Sequence, residues 1–339
     1  MIDARVVVLR DFGVLEIEEL SLPDPGPHQV CVEMLAAGIQ VAQLQMVQAS
    51  DMPGGDPAVP GLEGVGLVQF AGPQVSRAAP GDLVIIGPTP AVGAARAAEC
   101  PSILFADGAT QTGRPLATWA TNAIVDEQFV TAVAGDLPDR ERLAVLGDTV
   151  LKPAAAIAGG GVRPGARVVL AGQVGAGLAA VAAAVAAGAS EVIALGTEAN
   201  GLAKARALGA TAAFDARGGL PAALQADLLI DCAETPLPGF PRDRLVREGG
   251  RAVLAVTGGT PEAEVALQGR AAKAGYDAPP PADPDAVVAA VADWIRRGVF
   301  DPAALIRKRY TIEQVNEAII DMESGATWGQ AILVLEPVR

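Results

Sequence analysis

Gly165-Ala-Arg-Val-Val-Leu-Ala-Gly-Gln-Val-Gly-Ala-Gly177 decides the fold. Arg167 to Ala171 is a short apolar run with paired valines, as expected of a strand buried on both faces. Glycines follow at 172, 175 and 177, and Leu178 to Ala187 is almost entirely alanine and valine, long enough for a buried helix. Glu191 to Gly196 reads as the next strand. Strand, glycine turn, helix and strand within about 30 residues make a βαβ unit. Such a turn leaves backbone N–H groups at a helix N-terminus, where a pyrophosphate is received. The match to G-x-G-x-x-G is incomplete. The frame is Gly172-Gln173-Val174-Gly175-Ala176-Gly177, with valine where the middle glycine lets the backbone approach the pyrophosphate. The acid that bonds the ribose hydroxyls at the end of the second strand reads Gly196, followed by Thr197. Gly172, Val174, Gly175, Ala176, Gly177, Gly196 and Thr197 are therefore the candidate cofactor contacts.

A chain of 339 residues, 51% of them apolar, suggests two domains with a sizeable core rather than disorder. The net charge of −14 argues against a nucleic-acid or anionic-membrane partner, and solubility alone accounts for the acidity. Met1-Ile-Asp-Ala-Arg-Val-Val-Val-Leu9 lacks the charged start and cleavage site of a signal peptide, so a cytoplasmic protein is expected. Cys31, Cys100 and Cys232 are scattered and imply no disulfide framework. His28, in Pro23-Asp-Pro-Gly-Pro-His28, is expected to be a solvated loop side chain, so no interior histidine carries the chemistry.

Residues 4–9 and 14–19 read as a hairpin bent at Phe12-Gly13, and strands are expected at 29–37, 61–70, 80–86 and 118–126. The stretch 87–102 reads as loop, and a helix from about 139 to 147 precedes Asp148-Thr-Val-Leu-Lys152-Pro153. Further strands are expected at 191–196, 212–215, 227–232 and 251–256. Ala278-Pro-Pro-Pro-Ala-Asp-Pro284 reads as a linker. A helix over 285–297, a strand near 305–310, a helix capped by Thr311 and Gln314, and a strand over 331–336 complete the chain.

The layout resembles the medium-chain dehydrogenase/reductase superfamily of zinc alcohol dehydrogenases and quinone reductases. The likeness is carried by Leu22-Pro-Asp-Pro-Gly-Pro27, Ala37-Gly38-Ile39, Pro60-Gly61-x-Glu63-Gly64-x-Gly66, Pro80-Gly-Asp82, Leu208-Gly-Ala-Thr211 and Val315-Asn-Glu-Ala318. It implies an α/β protein: a GroES-like β-barrel catalytic domain with an inserted Rossmann domain, a doubly wound parallel sheet. The expected bounds are 1–150 for the barrel, 151–280 for the Rossmann domain and 281–339 for the return to the barrel. The family's zinc positions, Cys, His and Cys, correspond here to Gln40, Leu62 and Asp148, and only Cys100 remains of the four structural cysteines. A donor set of amide, hydrocarbon and carboxylate does not suit Zn²⁺, and no metal is expected. The lysine that the family places beyond the second strand reads Gly201, and its C-terminal Ser-Gly-x-x-Ile-Arg reads Ser324-Gly-Ala-Thr-Trp-Gly329. Loss of the acid at 196 favours NADP over NAD, with NAD or no cofactor as the alternatives.

If the family geometry holds, Gln40, Glu63, Asp148 and Lys152 gather at the former metal site. Lys152 is then a candidate proton donor and Glu63 a carboxylate released from its metal. A structural ion pair of Lys152 with either acid explains the same residues equally well. The functional expectation is a zinc-independent oxidoreductase moving hydride between NAD(P)(H) and a small carbonyl, alcohol or enone, as a homodimer acting on a small molecule. The alternatives are a non-redox lyase, isomerase or hydrolase activity, or a catalytically silent binding role.

Overall fold

The computed structural model describes the chain except residues 11–13, 41–42, 44–46, 48–56, 90–95, 134–135, 138, 160–161, 173–174, 221–223, 234–236, 238–244, 256–274, 278–282, 325–329 and 337–339. In chain order the strands begin with β1 (Ile2–Arg10), β2 (Val14–Leu22), β3 (Gln29–Ile39), β4 (Gly64–Ala71) and β5 (Leu83–Ile86). The short pair β6 (Ile103–Leu104) and β7 (Thr110–Gln111) follows, then β8 (Asn122–Asp126) and β9 (Val130–Val133). Next come helix α1 (Leu151–Gly159), β10 (Arg167–Ala171), α2 (Gly175–Ala186), β11 (Glu191–Gly196), α3 (Ala199–Ala207) and β12 (Ala212–Asp215). The remainder is β13 (Ala226–Asp231), β14 (Val246–Leu254), α4 (Pro284–Arg296), β15 (Ile306–Thr311), α5 (Val315–Glu323) and β16 (Gln330–Val334). Among the described residues no helix is long and apolar enough to cross a membrane.

Two compact units result, Met1–Asp148 with Ile306–Arg339, and Thr149–Leu305. The first is a mixed sheet in the order β15-β16-β3-β4-β5-β9, with β8 also paired to β3. β3 is its hub, with β16, β4 and β8 all running antiparallel to it. Register slips between β3 and β4 at Cys31/Val32 and Met34/Ala36 bend the pair, as bulges do in small barrels. Inward residues such as Val30, Val32, Met34, Val84, Trp119 and Leu333 build one core, while Val6, Val8, Cys31 and Phe105 build a second under the β1–β2 hairpin. The expected bend at Phe12-Gly13 lies outside the described residues.

The second unit holds five parallel strands in the order β12-β11-β10-β13-β14, so β10 is the point where the order reverses. That is the doubly wound arrangement, whose ligand crevice opens beyond the strand ends beside such a point. β10 is buried from Val168 onward and α2 from Gly177 to Ala184, which explains their lack of polar residues. The expectation that the chain returns to the barrel at 281 is corrected to 306, because α4 packs against α1 and belongs with the parallel sheet.

The helix expected over 139–147 is instead a tight 3₁₀ segment, Arg140–Val145, followed by a wide π-helical turn, Leu146–Val150. Asp139 enters it with φ 48°. The guanidinium of Arg309 on β15 pairs with Asp139 at 2.9 Å and also with Glu141. These long-range ties override the local pattern. The Thr311–Gln314 capping box is present, with Gln314 Oε1 accepting from the Thr311 N–H at 3.1 Å.

Candidate functional site

In the first unit the site is built around Glu63, which is wholly buried. Its Oε2 accepts from the Asp148 N–H at 2.8 Å and its Oε1 from the Gln330 side-chain amide at 3.0 Å. Its carbonyl oxygen accepts from Thr118 Oγ1 at 3.0 Å and from the Gly38 N–H at 3.2 Å. Two glycines make this packing feasible. A Cβ on Gly38 would lie 2.4 Å from Glu63 Oε1, so the carboxylate occupies the space of a missing side chain. A Cβ on Gly147 would lie 1.9 Å from the Ile86 carbonyl oxygen, and it is this close approach that carries Asp148 to Glu63.

Gln40, at the end of β3, and Gln43 are 7% and 2% exposed. The Gln40 N–H donates to Gln43 Oε1 at 2.9 Å. Both side-chain amide nitrogens are buried without a hydrogen-bond partner among the described residues. Trp119 is core: its indole N–H donates to the Gly38 carbonyl at 2.9 Å. The structure therefore brings Glu63, Asp148 and Gln330 together and joins Gln40 to Gln43. Lys152 is the second residue of α1 and belongs to the other unit. Gln330 was missed by sequence reasoning because nothing local marks a glutamine 267 positions away as Glu63's partner. Among the described residues no group of three or more His, Cys, Asp or Glu gathers.

Other expectations in this unit are revised. His28 is not simply solvated, since its Nδ1 lies 3.1 Å from Glu127 Oε1 and its backbone N–H donates to Glu99. Within the stretch expected to be loop, Arg96 makes a two-pronged ion pair, its nitrogens 2.5 and 2.7 Å from the buried Asp126 carboxylate. Burial alone would raise the Asp126 pKa, but Arg96 and the N–H groups of Gln128 and Glu99 outweigh it and hold the pKa below the usual carboxylate range. Cys100 is only partly buried there, its thiol pushed up chiefly by burial.

In the second unit Gly172 ends β10 with φ 107°, and a Cβ there would sit 3.0 Å from the carbonyl of Cys232. A Cβ on Gly177 would lie 2.4 Å from the Gly172 carbonyl oxygen. These are the tight turn and the close helix–strand packing of a dinucleotide fingerprint. Gly175 and Ala176 open α2, while Val174 lies outside the described residues. Gly196 ends β11, and beyond it the Thr197 carbonyl accepts from the Arg217 guanidinium, which also pairs with Asp215 at 2.8 Å. Arg217 arrives from the far end of β12. It stands beside the position vacated by the acid, where the sequence shows no adjacent cation. On the other side of Gly172, Asp231 at the end of β13 accepts from the Tyr276 hydroxyl, and burial raises its carboxyl pKa. Tyr276 packs against the core of the parallel sheet, and its neighbour Asp277 bridges to Val253.

Residues 26–135 match the family described as the alcohol dehydrogenase GroES-like domain. An NDMA-dependent alcohol dehydrogenase of Amycolatopsis methanolica is 28% identical, over 95% of this chain and 96% of its own length. The crystal structure of benzyl alcohol dehydrogenase from Acinetobacter calcoaceticus is similar with a TM-score of 0.81 at 22% identity, covering 99% of this chain and 100% of that one. The structure of CAD from Helicobacter pylori, complexed with NADP(H), gives 0.75 at 18% identity over 98% of both chains. Residues 26–135 thus belong to the alcohol dehydrogenase GroES-like domain family, and the chain is similar to alcohol dehydrogenases along nearly its whole length.

Proposed function

We propose that this protein is a zinc-independent oxidoreductase that interconverts a small alcohol and its carbonyl, or reduces an enone, with a nicotinamide dinucleotide. The observation that carries this is the second unit's glycine-bound turn at the strand-order reversal, where Gly172 has a φ of 107° and Gly177 has no room for a side chain. The turn and the start of α2 would receive the pyrophosphate, and Gly196, Thr197 and Arg217 would surround the adenosine ribose. When bound, the nicotinamide supplies hydride. Arg217 beside a non-acidic Gly196 favours the 2′-phosphate of NADP over NAD. Glu63 is held by the Asp148 peptide N–H and the Gln330 side-chain amide, and Lys152, four residues after Asp148, is the proposed proton donor. A homodimer, a small-molecule substrate and a cytoplasmic location belong to the same proposal.

Titration of tryptophan fluorescence with NADPH and NADH tests it, together with elemental analysis for zinc. Saturable NADPH binding by zinc-free protein is expected. No response to either dinucleotide, or one zinc per chain, would overturn the proposal. The glycines at 196 and 201, in place of the acid and the lysine, favour a second reading, a cofactor-free activity run by Glu63, Asp148 and Lys152. Turnover that needs no dinucleotide and disappears in Lys152→Met would select it.

A further inference from the structure

We propose that the side-chain amides of Gln40 and Gln43 form the subsite for a neutral carbonyl oxygen, donating two N–H groups where the zinc enzymes offer a metal. The inference rests on the carbonyl chemistry proposed above. Its basis is an inventory of donors in the barrel unit. The Gln43 amide cannot be turned over freely, because its Oε1 accepts from the Gln40 backbone N–H at 2.9 Å. Its Nε2 therefore faces away from that bond, and it is buried without a partner among the described residues. Gln40 Nε2 is in the same condition, in a residue that is 7% exposed. A buried N–H left unpaired is costly, so a pair of them held three residues apart is poised to receive an acceptor. Gln111 and Gln128 also have an unpaired amide nitrogen, but each stands alone in its segment, on β7 and after β8.

Position selects the ligand. The Cβ direction of Gly38, two residues before Gln40, meets the Glu63 carboxylate. An incoming group at Gln40 therefore approaches the chain two residues from the point that meets Glu63, whose Oε2 accepts from the Asp148 backbone N–H at 2.8 Å. The Glu63 carboxylate disfavours a carboxylate or phosphate ligand and leaves a neutral acceptor, an aldehyde or ketone oxygen, as the fitting partner. Two N–H donors shared by that oxygen would polarise it and stabilise negative charge developing on it, as in an oxyanion hole.

Benzaldehyde labelled with ¹³C at the carbonyl is the probe. In the wild-type protein its carbonyl resonance is expected to move downfield on saturable binding, and the ¹⁵N side-chain signals of Gln40 and Gln43 to move with it. Gln40→Leu and Gln43→Glu each remove donors, and Gln43→Glu keeps the oxygen that accepts from Gln40. Both are expected to abolish the ¹³C shift and to lower kcat for benzaldehyde reduction by about a hundredfold, with NADPH affinity unchanged. A ¹³C shift that survives in both variants overturns the proposal, as does wild-type protein whose two glutamine signals ignore benzaldehyde. The NADPH titration separates the two ideas. Amide-dependent benzaldehyde binding without NADPH binding sinks the oxidoreductase but keeps the subsite, and the reverse result does the opposite.

Discussion

Replacing Gly38 by alanine tests how the barrel unit holds its buried carboxylate. Backbone entropy alone predicts a gain of about 0.5–1 kcal/mol for glycine to alanine in a strand. The structure predicts a loss. The new Cβ would lie 2.4, 2.7 and 2.9 Å from Oε1, Cγ and Cδ of Glu63, all below an ordinary contact. Relief requires the carboxylate to move by about 1 Å. Its bonds from Gln330 at 3.0 Å and from the Asp148 N–H at 2.8 Å would then stretch past useful range. A hydrogen bond to a charged group is worth about 1.5–3 kcal/mol, so losing two costs about 3–6 kcal/mol. In a unit of this size that lowers Tm by roughly 6–24 °C. Thermal unfolding followed by circular dichroism measures it. The same substitution in a Glu63→Ala background, where the colliding atoms are gone, is expected to be close to neutral, so the two changes are strongly non-additive. A Gly38→Ala protein that melts at or above the wild-type temperature, or costs that simply add, would refute the reasoning.

Arg217→Met is expected to weaken NADPH binding by about fivefold, the scale of one exposed charge pair, while leaving NADH binding alone. Equal effects on both dinucleotides in a fluorescence titration would remove Arg217 from the 2′-phosphate. Gly147→Ala drives a Cβ into the Ile86 carbonyl and is expected to lose thermal stability and NADPH-dependent turnover together, and a variant that keeps both in a melting and turnover assay would contradict the close approach. The Asp126 carboxyl has a folded pKa below its unfolded value of about 3.9, so its stabilisation is full above that pH and is lost as pH falls through the folded value. The stability gap between wild type and Arg96→Met is accordingly expected to be widest near neutrality and to shrink in urea unfolding below about pH 4. A gap of the same size at pH 7 and pH 3 would contradict the assigned ion pair.

The sequence alone determined the elements whose cause is local. The apolar run 167–171 and the alanine-rich 178–187 are buried because no polar side chain interrupts them, and the glycines at 172 and 177 mark a turn that any folded version of this segment must make. The donor chemistry of Gln40, Leu62 and Asp148 was also legible, since it is a property of residue type. Only tertiary structure decided which groups meet across the chain. Gln330 reaches Glu63 across 267 positions, Arg217 reaches Thr197 from a different strand, and α4 joins the parallel sheet instead of the barrel. Such pairings carry no periodic or nearest-neighbour signal. They are set by which strands lie side by side and by the few sites where a missing Cβ lets two backbones, or a backbone and a carboxylate, come close enough to bond.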